Sequence, residues 1–219
     1  RNLFNCKIFF HIMVFKISKI EDSKLDEVYE TSMKELDSFF ELGWKYNRPN
    51  LVLIPDRKTI DNLKGKETEE WLVGWVNGNM VYMLSDKNYE TESNHKYSDE
   101  EYFALLKHEL AHCFSNVVSG FTQKPIWLLE GISIFLSGQL KLKTKPEKFS
   151  QFIEFFENGG KGVYSESGFA VEFLVQKYGK EKILQLLKKA KKSNSKKDFA
   201  DLFKSIYDFE LKYENFEIL

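Results

Sequence analysis

Two cysteines, Cys6 and Cys113, are all that the 219 residues contain. So few exclude a disulfide framework and a four-cysteine zinc site alike. Neither sign of charge is in surplus: 32 Lys and Arg stand against 33 Asp and Glu, a formal net charge of −1. Such balance gives no reason to expect nucleic acid or an anionic membrane as partner. No run of 18 apolar residues occurs, so no membrane-spanning helix is expected. The apolar stretch from Leu3 to Phe15 is broken by Asn5, Lys7 and His11, and no small-residue cleavage site follows it. It does not read as a signal peptide, which favours a cytoplasmic location and otherwise leaves the compartment open. Internal repeats are absent as well, and nothing in the sequence fixes an oligomeric state.

What is abundant is apolar and aromatic. Hydrophobic residues make up 42% and aromatics 16%, with 20 Phe. Phe has no polar handle for a wet surface, so this content points to a filled core. The length suits one domain in two joined parts: a mixed-sheet part over residues 1–96 and a helical part over residues 97–219.

In the first part, Cys6–Ile17 reads as a strand. Asp22-Ser23 opens a helix whose apolar positions run from Leu25 to Leu42, with Gly43 ending it. Leu51–Ile54 reads as a strand and Thr59–Leu63 as a short helix. Trp71–Val76 and Met80–Leu84 flank Asn77-Gly78-Asn79, a hairpin signal in which Asn77 and Gly78 would both take positive φ. Ser85–Lys96 is polar and reads as loop. In the second part, Ser98 to Glu101 has the pattern of a capping box, opening a helix to about Val118 with Gly120 beyond. Pro125 suits the start of a helix reaching Leu136. Further helices are expected over Glu147–Phe156, Ser165–Tyr178, Glu181–Lys192 and Asp198–Tyr207, with Gly179 between two of them. The lysine run from Lys188 to Lys197 reads as a solvated helix end and connector. The fold class is therefore α+β, a mixed sheet followed by helices.

The chemistry centres on His108-Glu109-Leu110-Ala111-His112, an H-E-x-x-H motif. Four residues on a helix are one turn plus about 40°, so both imidazoles leave one face, about 6 Å apart along the axis. Two neutral imidazoles so placed can bind one tetrahedral Zn²⁺. Glu109, rotated by about 100°, falls beside the water that the metal activates rather than on the metal. Leu105, Leu106, Leu110, Ala111 and Phe114 surround the motif with apolar residues, which fits poorly with a chance motif on a wet surface. Cys113 points about 100° away from the second histidine and reads as a buried thiol. A third ligand is needed. A histidine six residues after His112 would supply it in one known pattern, but Ser115 and Val118 stand where that pattern needs Gly and His. Glu130 is the other candidate, the one charge in the apolar segment Ile126–Phe135.

These two segments resemble the gluzincins, in particular the small peptidase-MA-like families of thermolysin-type fold. Those share H-E-x-x-H on one helix and W-L-x-E-G-x-(A/S) on the next. Here the second is Trp127-Leu128-Leu129-Glu130-Gly131-Ile132-Ser133, with 17 residues between His112 and Glu130. Tyr164–Ala170 leading to Tyr178-Gly179 resembles the family's Tyr-initiated helix, and Phe199–Tyr207 its terminal helix. The likeness covers roughly residues 70 to 219. It implies a zincin-like fold, a metal cleft between the two parts, zinc held by His108, His112 and Glu130, and Glu109 as general base for hydrolysis of peptide or protein substrates. It also implies that Tyr164 donates to the oxyanion, with a core or surface tyrosine as the alternative. Met80–Leu84 corresponds to the edge strand on which extended substrate lies. One departure stands out. The family places a carboxylate four residues after the ligand Glu, where it orients the first histidine; here that residue is Ile134, so Ser133 or an outside group must serve. Two rival functions remain open: a zincin-fold binding or regulatory module without activity, and zinc-dependent hydrolysis of a non-peptide substrate. His95 and His11 read as structural or exposed.

Overall fold

The computed structural model describes residues 19–160 and 162–219. The strand expected over Cys6–Ile17 lies outside them, as do Cys6 and His11. In chain order the described elements are α1 (Ser23–Phe40), β1 (Asn50–Ile54), α2 (Arg57–Lys64), β2 (Gly74–Asn77), β3 (Met80–Leu84), α3 (Asp99–Ser119), α4 (Ile126–Ser137), α5 (Val163–Tyr178), α6 (Lys180–Ala190) and α7 (Lys196–Tyr207). Among the described residues the fold is thus a mostly helical α+β arrangement, seven helices with one small mixed sheet. No helix among them is long and apolar enough to cross a membrane.

The sheet order is β1-β3-β2. β3 pairs in parallel with β1 and antiparallel with β2. Met80–Leu84 is therefore the central strand, with both hydrogen-bonding edges used, and it cannot be the edge strand expected from the sequence. Among the described residues the unpaired outer edges are those of β1 and β2. Asn77 lies opposite Met80, so the hairpin turn is Gly78-Asn79 rather than Asn77-Gly78. Only Gly78 takes a positive φ there, 62°, as a turn with Gly at its first central position requires. Val81 and Met83 are buried on one face. Trp75 and Tyr82 stack on the other, their ring centroids 4.8 Å apart.

α3 is the helix around which the rest is arranged. It packs against α1, α4 and α6 and also against β2 and β3. Helices buried on several sides need apolar residues on several sides, and α3 buries Leu106, Leu110, Ala111, Cys113 and Phe114. The Ser98 side chain accepts from the Glu101 N–H, but Glu101 returns no bond, so only half the expected box forms. The complete box lies at Ser195 and Asp198, ahead of α7. α1 stops at Phe40, three residues before Gly43. Glu41 itself takes the left-handed conformation, while the Asp37 carbonyl and carboxylate collect the N–H groups of Glu41 and Trp44.

α4 and α5 cross closely. A β-carbon on Gly131 would come within 2.6 Å of the Ser167 carbonyl oxygen, and one on Gly168 within 2.4 Å of Ile134 Cγ2. Only glycine fits at either position. This crossing sets the α4 helix, and with it Glu130, directly against α5.

The helix expected over Glu147–Phe156 is not formed; only a 3₁₀ turn, Phe152–Glu154, appears there. The reason is the buried carboxylate of Glu166 on α5. It accepts from the backbone N–H groups of Ser150, Gln151 and Phe152 and from the Ser150 hydroxyl. These donors are spent on a side chain, so the segment follows that carboxylate instead of a helical path. The same segment then offers its Phe155 and Phe156 carbonyls to the N–H groups of Trp127 and Ile126, the open first turn of α4. Hydrogen bonds to a charged group contribute about 1.5–3 kcal/mol each. Glu166→Ala is accordingly expected to lower the free energy of unfolding by roughly 2–4 kcal/mol. Urea denaturation checks it; a change under about 0.5 kcal/mol would show that water replaces the carboxylate without cost.

Candidate metal centre

His108 and His112 leave α3 on one face, and Glu130 meets them from α4. The His108 Nε2 and His112 Nε2 atoms are 3.0 Å apart. Glu130 Oε2 lies 3.4 Å from the first and 3.6 Å from the second. Among the described residues these three form the one group of metal-ligating side chains that converges in this way. Zinc bonds of about 2.0–2.1 Å at tetrahedral angles put neighbouring ligand atoms about 3.3–3.4 Å apart, and the observed edges bracket that value. The donor set fits as well, with two imidazoles and one carboxylate leaving a fourth position open. Glu130 Oε2 is buried and has no hydrogen bond of its own, so without a cation it is left unsatisfied.

Electrostatics tie the three together. Burial works to raise the Glu130 carboxyl, but His112 and His108 override it and hold it well below the usual carboxylate range. Burial likewise opposes charge on His112, yet Glu130, and then Glu109, push its imidazole up to about 9. Such mutual shifts mark groups whose charges are meant to be compensated at close range.

Glu109 is not part of the triangle. It is 6% exposed and turned toward the sheet, where its Oε1 would lie 2.9 Å from a β-carbon on Gly74. The absence of a side chain at Gly74 makes the space for this carboxylate. Burial raises the pKa of Glu109, with the two histidines opposing. A carboxylate raised toward neutrality is a better proton acceptor than an exposed one.

The partners of the two histidine rings differ from expectation. The Ser133 hydroxyl lies 3.2 Å from His112 Nδ1, so it serves the second histidine and not the first. His108 Nδ1 is buried and has no partner. Ile134 does not substitute for a carboxylate, since it is fully buried against Gly168 at the α4–α5 crossing.

Tyr164 stands in the first turn of α5, half-buried. Burial raises its phenol, and the charges of Glu130 and Glu109 raise it further, which sets it in the field of both carboxylates. Tyr178 is at the other end of α5, packed on Tyr207 and Phe209. His95 Nε2 is 3.1 Å from the Trp71 carbonyl oxygen and its ring lies against Tyr89, a structural placement. Cys113 is buried, and burial, with Glu109, pushes its thiol up to about 12.

Two lysines at the site carry no signal in the sequence. Lys64, at the end of α2, holds its ammonium 4.3 Å over the Trp75 ring; burial lowers its pKa and Glu109 acts against that. Lys143 is lowered by burial too, and Glu130 opposes. Gly74 was equally silent, because its role depends on a strand partner and a helix 35 positions away in sequence.

No family model, curated protein or solved structure matches this chain.

Proposed function

We propose that this chain is a zinc-dependent peptidase of the gluzincin type with a zincin-like fold. The observation that carries the reading is the convergence of His108 Nε2, His112 Nε2 and Glu130 Oε2 at tetrahedral spacing, with Glu109 beside them but outside the triangle. A zinc ion held there supplies Lewis acidity toward a carbonyl and makes a water acidic near neutral pH. Glu109 takes the proton of the attacking water at its carboxylate and later gives it to the leaving amine. Gly74 keeps room for that carboxylate. Ser133 holds the His112 ring in place. β2, whose outer edge is unpaired among the described residues, borders Glu109, so an extended peptide added to it would be brought to the base.

Tyr164 is assigned to the oxyanion. Charge on that oxygen grows toward the transition state, so its partner affects turnover more than binding. Tyr164→Phe is expected to lower kcat by about 10²–10³-fold with KM nearly constant. Steady-state kinetics decides; an unchanged kcat would return Tyr164 to a packing role. The overall reading is tested by a peptide-library cleavage screen, with and without a chelator. Chelator-sensitive cleavage is expected.

A second reading has one observation in its favour. His108 Nδ1 is buried without a partner, and an imidazole left unoriented makes a poorer ligand. That suits a zinc-holding module that binds or regulates without catalysis. Zinc-loaded protein that cleaves no member of the library would favour it, or a non-peptide substrate.

A further inference from the structure

We propose that the C-terminal end of α3 and the adjoining end of α6 form a docking surface for an anionic membrane. The first observation is Phe121. It has φ 62°, a left-handed conformation that a bulky aromatic residue rarely adopts, and it is 62% exposed. Val117, one helical turn earlier, is 42% exposed. The core uses neither side chain, and the backbone holds the ring outward: the Phe121 N–H is committed to the Asn116 carbonyl after the left-handed Gly120. Unfavourable backbone geometry that presents an apolar ring to solvent is a feature that folding alone does not call for.

The second observation is charge. Lys189, Lys191 and Lys192 are exposed at the end of α6, and among the described residues none of them has a carboxylate within 4.0 Å. The Lys191 ammonium reaches α3, lying 3.3 Å from where a Gly120 β-carbon would be, next to Phe121. Lys124 ties the two ends together through the Asn194 carbonyl, and its own charge is paired with Glu157 at 3.3 Å, so the free positive charge of this face is that of the three lysines at the end of α6. No Asp or Glu occurs between Glu109 and Glu130, or between Glu181 and Asp198. The chain is neutral as a whole, yet this face is locally basic and carries two protruding apolar side chains. That pairing complements a bilayer surface, where lysines meet anionic headgroups and a ring enters the apolar boundary.

Nucleic acid is the competing polyanion. It is recognised best by arginine, which stacks and binds phosphate bidentately, and the chain has no arginine after Arg57. Compact ammonium charges beside aliphatic and aromatic side chains favour headgroups. The surface lies at the far end of α3 from the cap at Ser98; the helix runs on seven residues from His112 to Ser119, about 10 Å. A chain docked here would hold its metal centre near the membrane.

The test is sedimentation of the full chain with vesicles of phosphatidylcholine alone and of phosphatidylcholine mixed with phosphatidylserine. Binding is expected only to the mixed vesicles, and it should weaken as salt is raised. Lys189, Lys191 and Lys192 changed together to Gln should reduce partitioning by about five-fold per lysine. Phe121→Ser should reduce it roughly ten-fold. All four positions are exposed, so thermal unfolding should not change. No binding, equal binding to both vesicles, or loss of neither kind in the variants would overturn the proposal. So would binding to a DNA duplex as tight as to the mixed vesicles with Phe121→Ser unaffected, which would make the patch a polyanion site.

Discussion

Glu109→Gln is expected to lower kcat/KM by about 10²–10⁴-fold while zinc content and stability stay at wild-type levels. Gln preserves the shape that fills the space beside Gly74, so the contact between α3 and β2 survives. It removes the basic oxygen. Because Glu109 lies outside the triangle of His108, His112 and Glu130, losing its charge should take nothing directly from a metal bound there. Burial already disfavours that charge, so the amide should not destabilise the fold. The paired readouts separate the possibilities. A variant that loses zinc would make Glu109 a ligand. One with near-normal turnover would assign the proton to another group.

The grouping of His108, His112 and Glu130 was legible because each of its signals is local. Spacing of four residues fixes His108 and His112 on one helical face whatever the rest of the chain does. A lone Glu130 in an apolar helix must be compensated, which is readable without coordinates. Helix ends that rest on one residue, the capping side chains of Asp22 and Ser98 and the left-handed Gly120, were legible for the same reason. Long-range features were not. Strand order placed β3 in the centre, which no pattern within Met80–Leu84 reveals, since its two partners come from other parts of the chain. Glu147–Phe156 has helix-compatible residues, yet Glu166 captures its N–H groups. Ser133 turned out to face His112 rather than His108, and Ile134 is committed to Gly168. Those outcomes depend on how α4 and α5 cross.

Removing any one of His108, His112 or Glu130 should weaken zinc binding by more than the 10–100-fold that loss of an outer partner costs. Each supplies one corner of the triangle, and two ligands cannot define a tetrahedral site. Glu130→Ala is the most informative of the three. It takes away the only negative charge in the triangle, and the histidines remain on an intact α3 that other contacts hold. Glu130→Gln keeps the shape and an oxygen but not the charge, so its affinity should fall between Ala and wild type. Ser133→Ala, which frees His112 Nδ1, should cost only the smaller, outer-partner amount.

Metal analysis of the purified chain, with a zinc titration of wild type and Glu130→Ala side by side, tests the central claim most directly. The triangle predicts about one zinc per chain in the wild type and a large loss of affinity in the variant. A wild-type chain that takes up no zinc, or a Glu130→Ala chain that binds it with undiminished affinity, would contradict the assignment.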